Sequence, residues 1–274
     1  MSRLRTDGLS VAYGQRPVLE ELSVDIPDDA FTVIVGPNAC GKSTLLRSLG
    51  RMLRPSEGRV LLDGREVAGL PAKEYARALG LLPQSAIAPE GMSVADLVGR
   101  GRYPHQGFFR QWSPRDEEAV TRAMTAASVS ALADRPVDEL SGGQRQRAWL
   151  AMALAQETPL LLLDEPTTYL DITHQLEVLD LARSLVAGGR TVVAVLHELN
   201  LAFRYADHLV VMSDGRVVAT GAPSDVVTPE LMAEVYRLAC RIVPDPVTGT
   251  PLVVPELGAA PTGATARARL GVLR

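Results

Sequence analysis

The sequence has few cysteines and no long apolar run, and both absences narrow the kind of protein it can encode. Only two cysteines occur among 274 residues, Cys40 and Cys240, and their spacing matches no metal-binding pattern. A disulfide is therefore not expected, and a reducing compartment fits better. The apolar runs at residues 160–163 and 192–196 are far shorter than the ~20 residues of a membrane-spanning helix.

The sequence also shows neither a signal peptide nor a strong net charge. Residues 1–7 have a basic start, but no apolar stretch follows them as in a secretory signal. Lysine and arginine total 28 against 32 aspartates and glutamates, a formal net charge of −4. This balance argues against a nucleic-acid partner bound by bulk positive charge. We expect a soluble protein whose membrane role, if it has one, depends on a partner chain.

The apolar pattern predicts an α/β core. Continuous apolar runs alternate with segments of helical periodicity, as in a parallel sheet that is buried on both faces. The predicted strands are residues 31–35, 160–163 and 191–196, and the predicted helices beside them are residues 44–53 and 173–186.

Two further regions depart from this pattern. Residues 4–13 and 18–26 alternate apolar and polar side chains, which predicts antiparallel strands near an edge. Between about 90 and 157 no strand alternation occurs, and helices are predicted at residues 93–99, 114–128 and 143–156. The predicted fold is therefore a mostly parallel core with an antiparallel β subdomain and an inserted helical subdomain.

A phosphate-binding motif follows the first apolar strand. Residues 36–44, here called the phosphate loop, fit the pattern G-x-x-x-x-G-K-[ST] between a strand and a helix. Such a loop wraps an anion with backbone N–H groups, and the helix N-terminus adds its positive dipole. The predicted nucleotide contacts in this loop are Gly36, Pro37, Asn38, Ala39, Cys40, Gly41, Lys42, Ser43 and Thr44.

Two acids end the strand at residues 160–163. Asp164 and Glu165 would lie at the carboxyl end of a parallel strand, beside the phosphate loop, where such sheets bind ligands. Asp164 is predicted to hold Mg²⁺ with the Ser43 hydroxyl, and Glu165 to polarise the attacking water. These two motifs alone indicate a P-loop nucleotidase, so kinases, GTPases and helicases remain open.

A third segment narrows the family. Residues 140–144, Leu-Ser-Gly-Gly-Gln, lie between the two halves of the P-loop site and open a predicted helix. In isolation such a segment is an ordinary helix cap. In this position it resembles the signature sequence of ABC ATPases, and we call it the signature segment.

Other elements of that family follow in the expected order. Tyr13 stands where the family places an aromatic that stacks on adenine, and Gln84 matches the lid glutamine. Leu170 and Asp171 match the dimer-contact loop. His197 matches the switch histidine that touches the γ-phosphate. Each residue has an ordinary structural explanation by itself, so the assignment depends on their combined order and spacing.

The resemblance implies a domain plan and a site. The ATPase domain would span residues 1–244, with its helical subdomain at about 90–157 and a C-terminal extension, mobile at its end, at 245–274. ATP and Mg²⁺ are the implied cofactors, with Ser43, Gln84 and Asp164 as metal ligands and Lys42, Gln84, Glu165 and His197 as catalytic residues. The signature residues Ser141, Gly142, Gly143 and Gln144 would close over ATP held by a second subunit in a homodimer.

The resemblance also implies membrane partners. Transmembrane permease subunits would hold the ATPase at the cytoplasmic face of the membrane, with a substrate-binding protein as an indirect partner. Residues 101–105, 145–149 and 167–175, with Ala39 and Cys40, resemble the ATPases of ferric-siderophore importers. Haem and cobalamin importers share much of this pattern. A non-transport ABC ATPase is the alternative, although one cassette and no sustained heptads argue against translation and repair factors.

The reactivity of Cys40 is open from sequence. Its position beside Lys42 and a helix N-terminus favours a thiolate and a lowered pKa. An inert, buried thiol is equally compatible with the sequence.

Overall fold

The structure, a computed structural model, describes residues 2–84, 88–107 and 112–256. Its strands are β1 (Leu4–Tyr13), β2 (Arg16–Leu22), β3 (Asp25–Ile26), β4 (Phe31–Val35), β5 (Glu57–Leu62), β6 (Arg65–Glu66), β7 (Leu79–Leu82), β8 (Leu160–Asp164), β9 (Thr191–Val195), β10 (His208–Ser213), β11 (Arg216–Gly221), β12 (Cys240–Pro244) and β13 (Pro251–Pro255). Its helices are α1 (Lys42–Leu49), α2 (Ala72–Ala78), α3 (Val94–Gly99), α4 (Pro114–Ala126), α5 (Gly142–Ala155), α6 (Ile172–Ala187), α7 (Leu199–Tyr205), α8 (Pro223–Val226) and α9 (Pro229–Tyr236).

A six-stranded sheet in the order β11-β10-β4-β9-β8-β7 forms the centre of the molecule. The pairings from β10 to β7 are parallel, and β11 closes one edge antiparallel to β10. Every residue of β4, β8 and β9 is buried, as continuous apolar strands between helices require. Because β4 and β8 both flank β9 in parallel, the phosphate loop and the acid pair leave the sheet at the same edge. The predicted parallel α/β core is confirmed.

The predicted antiparallel subdomain is also confirmed, as a sheet in the order β2-β1-β5-β6 with β3 paired to β1. The single strand predicted at residues 18–26 is in fact two strands. The break falls at residues 23 and 24, shortly after a left-handed backbone at Glu21 within β2, φ 47°. Thr6 satisfies the broken ladder, since its hydroxyl donates to the Leu22 carbonyl and accepts from the Val24 N–H, both at 2.9 Å.

Helices α3, α4 and α5 are inserted between β7 and β8, where the sequence predicted helices. Side-chain caps fix where each begins. The hydroxyl of Ser93 accepts from the N–H of Asp96, while Ser113 and Ser141 each form a reciprocal capping box with the residue three positions on. The predicted ends differ from the observed ones by only one or two residues.

Helix α1 departs further from its predicted range. It begins at Lys42 and ends at Leu49, whereas residues 44–53 were predicted. The Leu periodicity continues to Leu53, but Gly50 closes the last turn and Arg51 adopts a left-handed backbone with φ 57°.

The last two strands of the described residues, β12 and β13, form an antiparallel hairpin that the sequence did not predict. The hairpin packs on α7, where the Asn200 amide accepts from the Val253 N–H at 2.9 Å and donates to its carbonyl at 3.4 Å. Arg204 forms an ion pair with the buried Asp245 in the hairpin turn. The tail expected to be mobile, beyond residue 256, lies outside the described residues. No helix in the described ranges has the length and apolarity needed to cross a bilayer.

Candidate nucleotide site

The phosphate loop is tightly folded at the end of β4. A Cβ on Gly36 would lie 2.2 Å from the Met212 carbonyl oxygen and 2.7 Å from Cys40 Sγ, so only glycine fits there. Lys42 is 5% exposed, and its ammonium donates to the carbonyls of Gly36 at 2.9 Å and Pro37 at 2.8 Å. The lysine charge is thereby held over the loop, ready for an anion.

Asp164 connects the phosphate loop to the strand opposite it. The carboxylate is 0% exposed and accepts from Ser43 Oγ at 2.8 Å and from Arg47 Nε at 3.3 Å. Burial raises the pKa of Asp164 above its usual value, even though the Ser43 hydrogen bond and the Arg47 charge oppose that effect. A buried carboxylate beside a hydroxyl is the oxygen donor set that Mg²⁺ prefers.

Glu165 lies one residue further, with a left-handed backbone at φ 56°. His197 Nε2 lies 2.7 Å from its Oε1, and the Thr168 hydroxyl donates to its Oε2 at 3.2 Å. Burial alone would raise the pKa of Glu165. The hydrogen bonds and charge of His197, with Gln84 and Thr168, outweigh burial and lower it. The carboxylate is therefore ionised at neutral pH and able to accept a proton.

Lys42, Ser43, Glu165 and His197 border one cavity of about 600 Å³. That volume lies in the range of small-molecule and cofactor sites. Tyr13, 49% exposed, stands on its wall. The predicted residues that line the cavity are Tyr13, Asn38, Ala39, Gly41, Lys42, Ser43, Thr44, Gln84, Glu165 and His197, and Arg16 and Val18 join them. The predicted site residues Gly36, Pro37, Cys40 and Asp164 are not part of its lining.

The signature segment does not reach this cavity. Ser141, Gly142, Gly143 and Gln144 line a separate cleft of about 330 Å³ together with Arg147 and residues 169–171 and 174. Tyr169 and Ile172 beside it are 80% and 70% exposed, unusual values for large apolar side chains. Within one chain, the predicted nucleotide contacts are therefore divided between two surfaces.

Comparison with known proteins identifies the family. The family model described as "ABC transporter" matches residues 19–168. The ferric enterobactin transport ATP-binding protein FepC of Escherichia coli is 54% identical, covering 96% of this chain and 98% of the relative. The hemin import ATP-binding protein HmuV of Rhodococcus jostii is 44% identical, over 92% and 86%. A solved dimeric bacterial ABC transporter cassette has a TM-score of 0.73 at 26% identity, covering 80% of this chain and 98% of its own.

The chain belongs to the ABC transporter family. It is an ATP-binding cassette with ATPase activity, as the resemblance of its motifs implied.

Several residues near the ATPase site were not identified from sequence. Arg47 contacts Asp164, and Gln146 of α5 donates its amide to the Glu165 carbonyl at 3.4 Å. Thr168 was noted only as part of a subfamily pattern. Arg47 lies one helical turn after Ser43, so the helix period could have identified it. Nothing in the sequence places Gln146 against Glu165.

The magnesium prediction depends on few protein groups. The described residues contain no cluster of three or more His, Cys, Asp or Glu side chains that could hold a metal ion. A cation here would need the phosphates as further ligands, which agrees with the few protein ligands Mg²⁺ uses in nucleotide sites. Gln84 is exposed and lies within reach of Glu165.

Cys40 is a buried thiol, only 5% exposed, with its Sγ packed against Gly36. Burial raises its pKa, and the nearby Lys42 charge and backbone N–H groups do not compensate. Of the two alternatives that the sequence left open, the structure favours the inert one.

We therefore predict slow thiol labelling of the folded ATPase. A maleimide at pH 7 should modify Cys40 at least about tenfold more slowly than after guanidinium unfolding, because the thiol is neutral and covered. Peptide mapping by mass spectrometry measures the rates. Fast labelling of Cys40 in the folded protein, slowed by MgATP, would show instead that the thiol is reactive.

Proposed function

We propose that this ATPase energises an importer of ferric siderophores as a peripheral subunit at the cytoplasmic face of the membrane. The 54% identity to an enterobactin transport ATPase, along nearly the full length of both chains, carries this proposal. The hemin import relative is less similar at 44%. Haem and cobalamin importers are the alternatives, and permease subunits and a binding protein would select the substrate.

The nucleotide cavity provides the binding half of the mechanism. Backbone N–H groups of the phosphate loop would hold the phosphates, with the Lys42 ammonium against the β- and γ-phosphates. Tyr13, at the exposed side of the cavity, would stack on the adenine. Ser43, Asp164 and Gln84 would hold Mg²⁺, which neutralises charge on the phosphates when bound.

Glu165 and His197 supply the chemistry. The ionised Glu165 carboxylate orients the attacking water and accepts its proton. His197, hydrogen-bonded to Glu165, fixes the direction of that carboxylate and lies on the cavity wall within reach of a γ-phosphate. Gln84 borders the same cavity and follows β7, so it would transmit closure of the site to the permease.

The signature segment would complete the nucleotide site. It lies in a second cleft on the same chain, flanked by exposed Tyr169 and Ile172, so a second copy must supply it. The capped N-terminus of α5 would bring backbone N–H groups and dipole to the γ-phosphate of the partner's ATP. We propose a homodimer with two ATP molecules between its subunits.

Glu165→Gln should retain ATP binding and lower kcat by about 10²- to 10⁴-fold, because the amide keeps the shape and loses the base. It should also accumulate an ATP-bound dimer. Steady-state phosphate release and analytical ultracentrifugation with ATP measure both effects. Wild-type turnover by this variant would show that Glu165 is not the base.

The trans arrangement can be tested by subunit mixing. Lys42→Ala should lose nucleotide binding, and Ser141→Arg should bind ATP without closing. Each ATP site of the proposed dimer is a composite site, formed by the phosphate loop of one subunit and the signature segment of the other. In a heterodimer of the two variants, one composite site carries both substitutions and the other carries neither. Random exchange should therefore restore up to about a quarter of wild-type activity, since half of the dimers are mixed. No recovery despite verified exchange would contradict the composite site.

Substrate class is tested by uptake. A strain without this gene should lose uptake of radiolabelled ferric siderophores, retain haem and cobalamin uptake, and recover when the gene returns. A Glu165→Gln copy, which is expressed and inactive, is the matched control. Loss of haem or cobalamin uptake alone would show that the transported substrate is not a ferric siderophore. If cell fractionation found the protein only in the soluble fraction, a non-transport ATPase would be favoured.

A further inference from the structure

One subfamily segment remains without a role in the nucleotide site. Residues 101–105, Gly-Arg-Tyr-Pro-His, form most of a 3-10 segment, Arg100–His105, between α3 and α4. Arg102 in this segment is 1% exposed, one of the largest fully buried side chains in the described residues. A charge buried this deeply requires specific partners.

Two of those partners lie at and just after the C-terminal end of the signature helix α5, and the third is Asp116 of α4, which accepts from Arg102 Nε at 2.8 Å. Arg102 Nη1 donates to the Ala155 carbonyl at 2.7 Å and to Glu157 at 2.9 Å. His105 Nε2 lies 2.7 Å from the Gln156 carbonyl. A Cβ on Gly101 would lie 2.2 Å from the Met152 carbonyl, so the backbones touch there. The segment is thus seated directly on the last turn of α5.

The same end of α5 is tied to β7 and α2. The Gln156 side-chain amide donates to the carbonyl of Leu79, the first residue of β7, at 3.2 Å, and also to the carbonyl of Ala76 in α2. Arg77 Nε of α2 donates to the Pro104 carbonyl at 2.8 Å. Gln156 is therefore the direct side-chain link between the signature helix and the strand that leads to Gln84.

The far ends of these two elements lie at the two surfaces that the proposed dimer would bring together around ATP. Strand β7 ends at Leu82, two residues before Gln84 at the cavity, and α5 begins beside Ser141 of the signature segment. Helix α5 has 14 residues. At 1.5 Å per residue it is about 21 Å long, so a tilt of about 5° at Gln156 would move its N-terminus by about 2 Å. Donors to transition-state charge act only within a few tenths of an ångström of contact distance.

We propose that Gln156 is a positioning residue for closure of the dimer. Together with residues 101–105, Gln156 fixes the tilt of α5 against β7. That tilt sets the position at which the signature segment meets ATP bound to a second copy. This inference rests on the proposed composite site. It assigns Gln156 no contact with nucleotide, so ATP binding within one chain should not depend on it.

The test uses Gln156→Ala and Gln156→Met in the Glu165→Gln background. The affinity of each variant for a fluorescent ATP analogue should stay within about twofold of the parent value. The ATP concentration that gives half-maximal dimer formation should rise about tenfold, which corresponds to the free energy of one or two lost hydrogen bonds. With Glu165 intact, kcat should fall about tenfold with KM nearly unchanged. Gln106→Ala is the matched control, since only the backbone of Gln106 forms hydrogen bonds with the described residues and its side-chain amide forms none.

Each outcome bears on a different statement. Unchanged dimerisation by Gln156→Met, which keeps the side-chain volume and removes the donor, would overturn the positioning role. Parallel loss of nucleotide affinity would overturn it too, because the effect would then lie in the variant's own cavity. Circular dichroism and the thermal midpoint show whether Gln156→Ala is folded. If that variant is unfolded, the result with Gln156→Met tests the positioning role. Failure of the Glu165→Gln parent to dimerise with ATP would reject the composite site itself.

Discussion

The burial of one negative charge, on Asp164, is the constraint on which the site depends. Its carboxylate ends β8 with no exposed surface, and Ser43 and Arg47 of α1 are its hydrogen-bond donors. An isolated buried carboxylate would be costly, and the raised pKa of Asp164 expresses that cost. The strand order β4-β9-β8 is what brings α1 opposite that charge. The proposed Mg²⁺, entering with the nucleotide, would lower that cost further, so ligand binding and the burial of Asp164 would favour the same arrangement.

The same geometry separates the two groups of predicted nucleotide contacts. The predicted phosphate-binding residues lie at one edge of the central sheet, whereas the signature segment lies on another surface at the start of α5. Tyr169 and Ile172 beside that segment are exposed apolar side chains, and covering them with protein would be favourable. In the proposed dimer, closure would depend on two surfaces meeting around ATP, and the relative placement of α5 and β7 would then affect activity as well as folding.

Local signals in the sequence predicted most of this structure, and the exceptions share a cause. Strands β4, β8 and β9, and the helices capped by Ser93, Ser113 and Ser141, follow from apolar runs and cap residues within a few positions of each element. Strand β7 is four residues long, and its strand character depends on pairing with β8. The C-terminal hairpin likewise depends on Asn200 and Arg204 of α7. For Cys40 the neighbouring charge predicted a thiolate with a lowered pKa. The pKa is instead raised by burial, which no local sequence pattern reveals.

Arg102 is another feature of the structure that depends on contacts between residues far apart in the sequence. Stability alone does not explain it, because a buried ion pair is often no more stabilising than apolar side chains of the same volume. Its three acceptors lie on different elements: Asp116 on α4, Ala155 at the end of α5 and Glu157 in the approach to β8. Apolar packing would tolerate small sliding motions between those elements, whereas fixed hydrogen-bond directions do not. A network that excludes alternative packings would serve the proposed dimer, in which the angle of α5 affects whether two subunits can close on ATP.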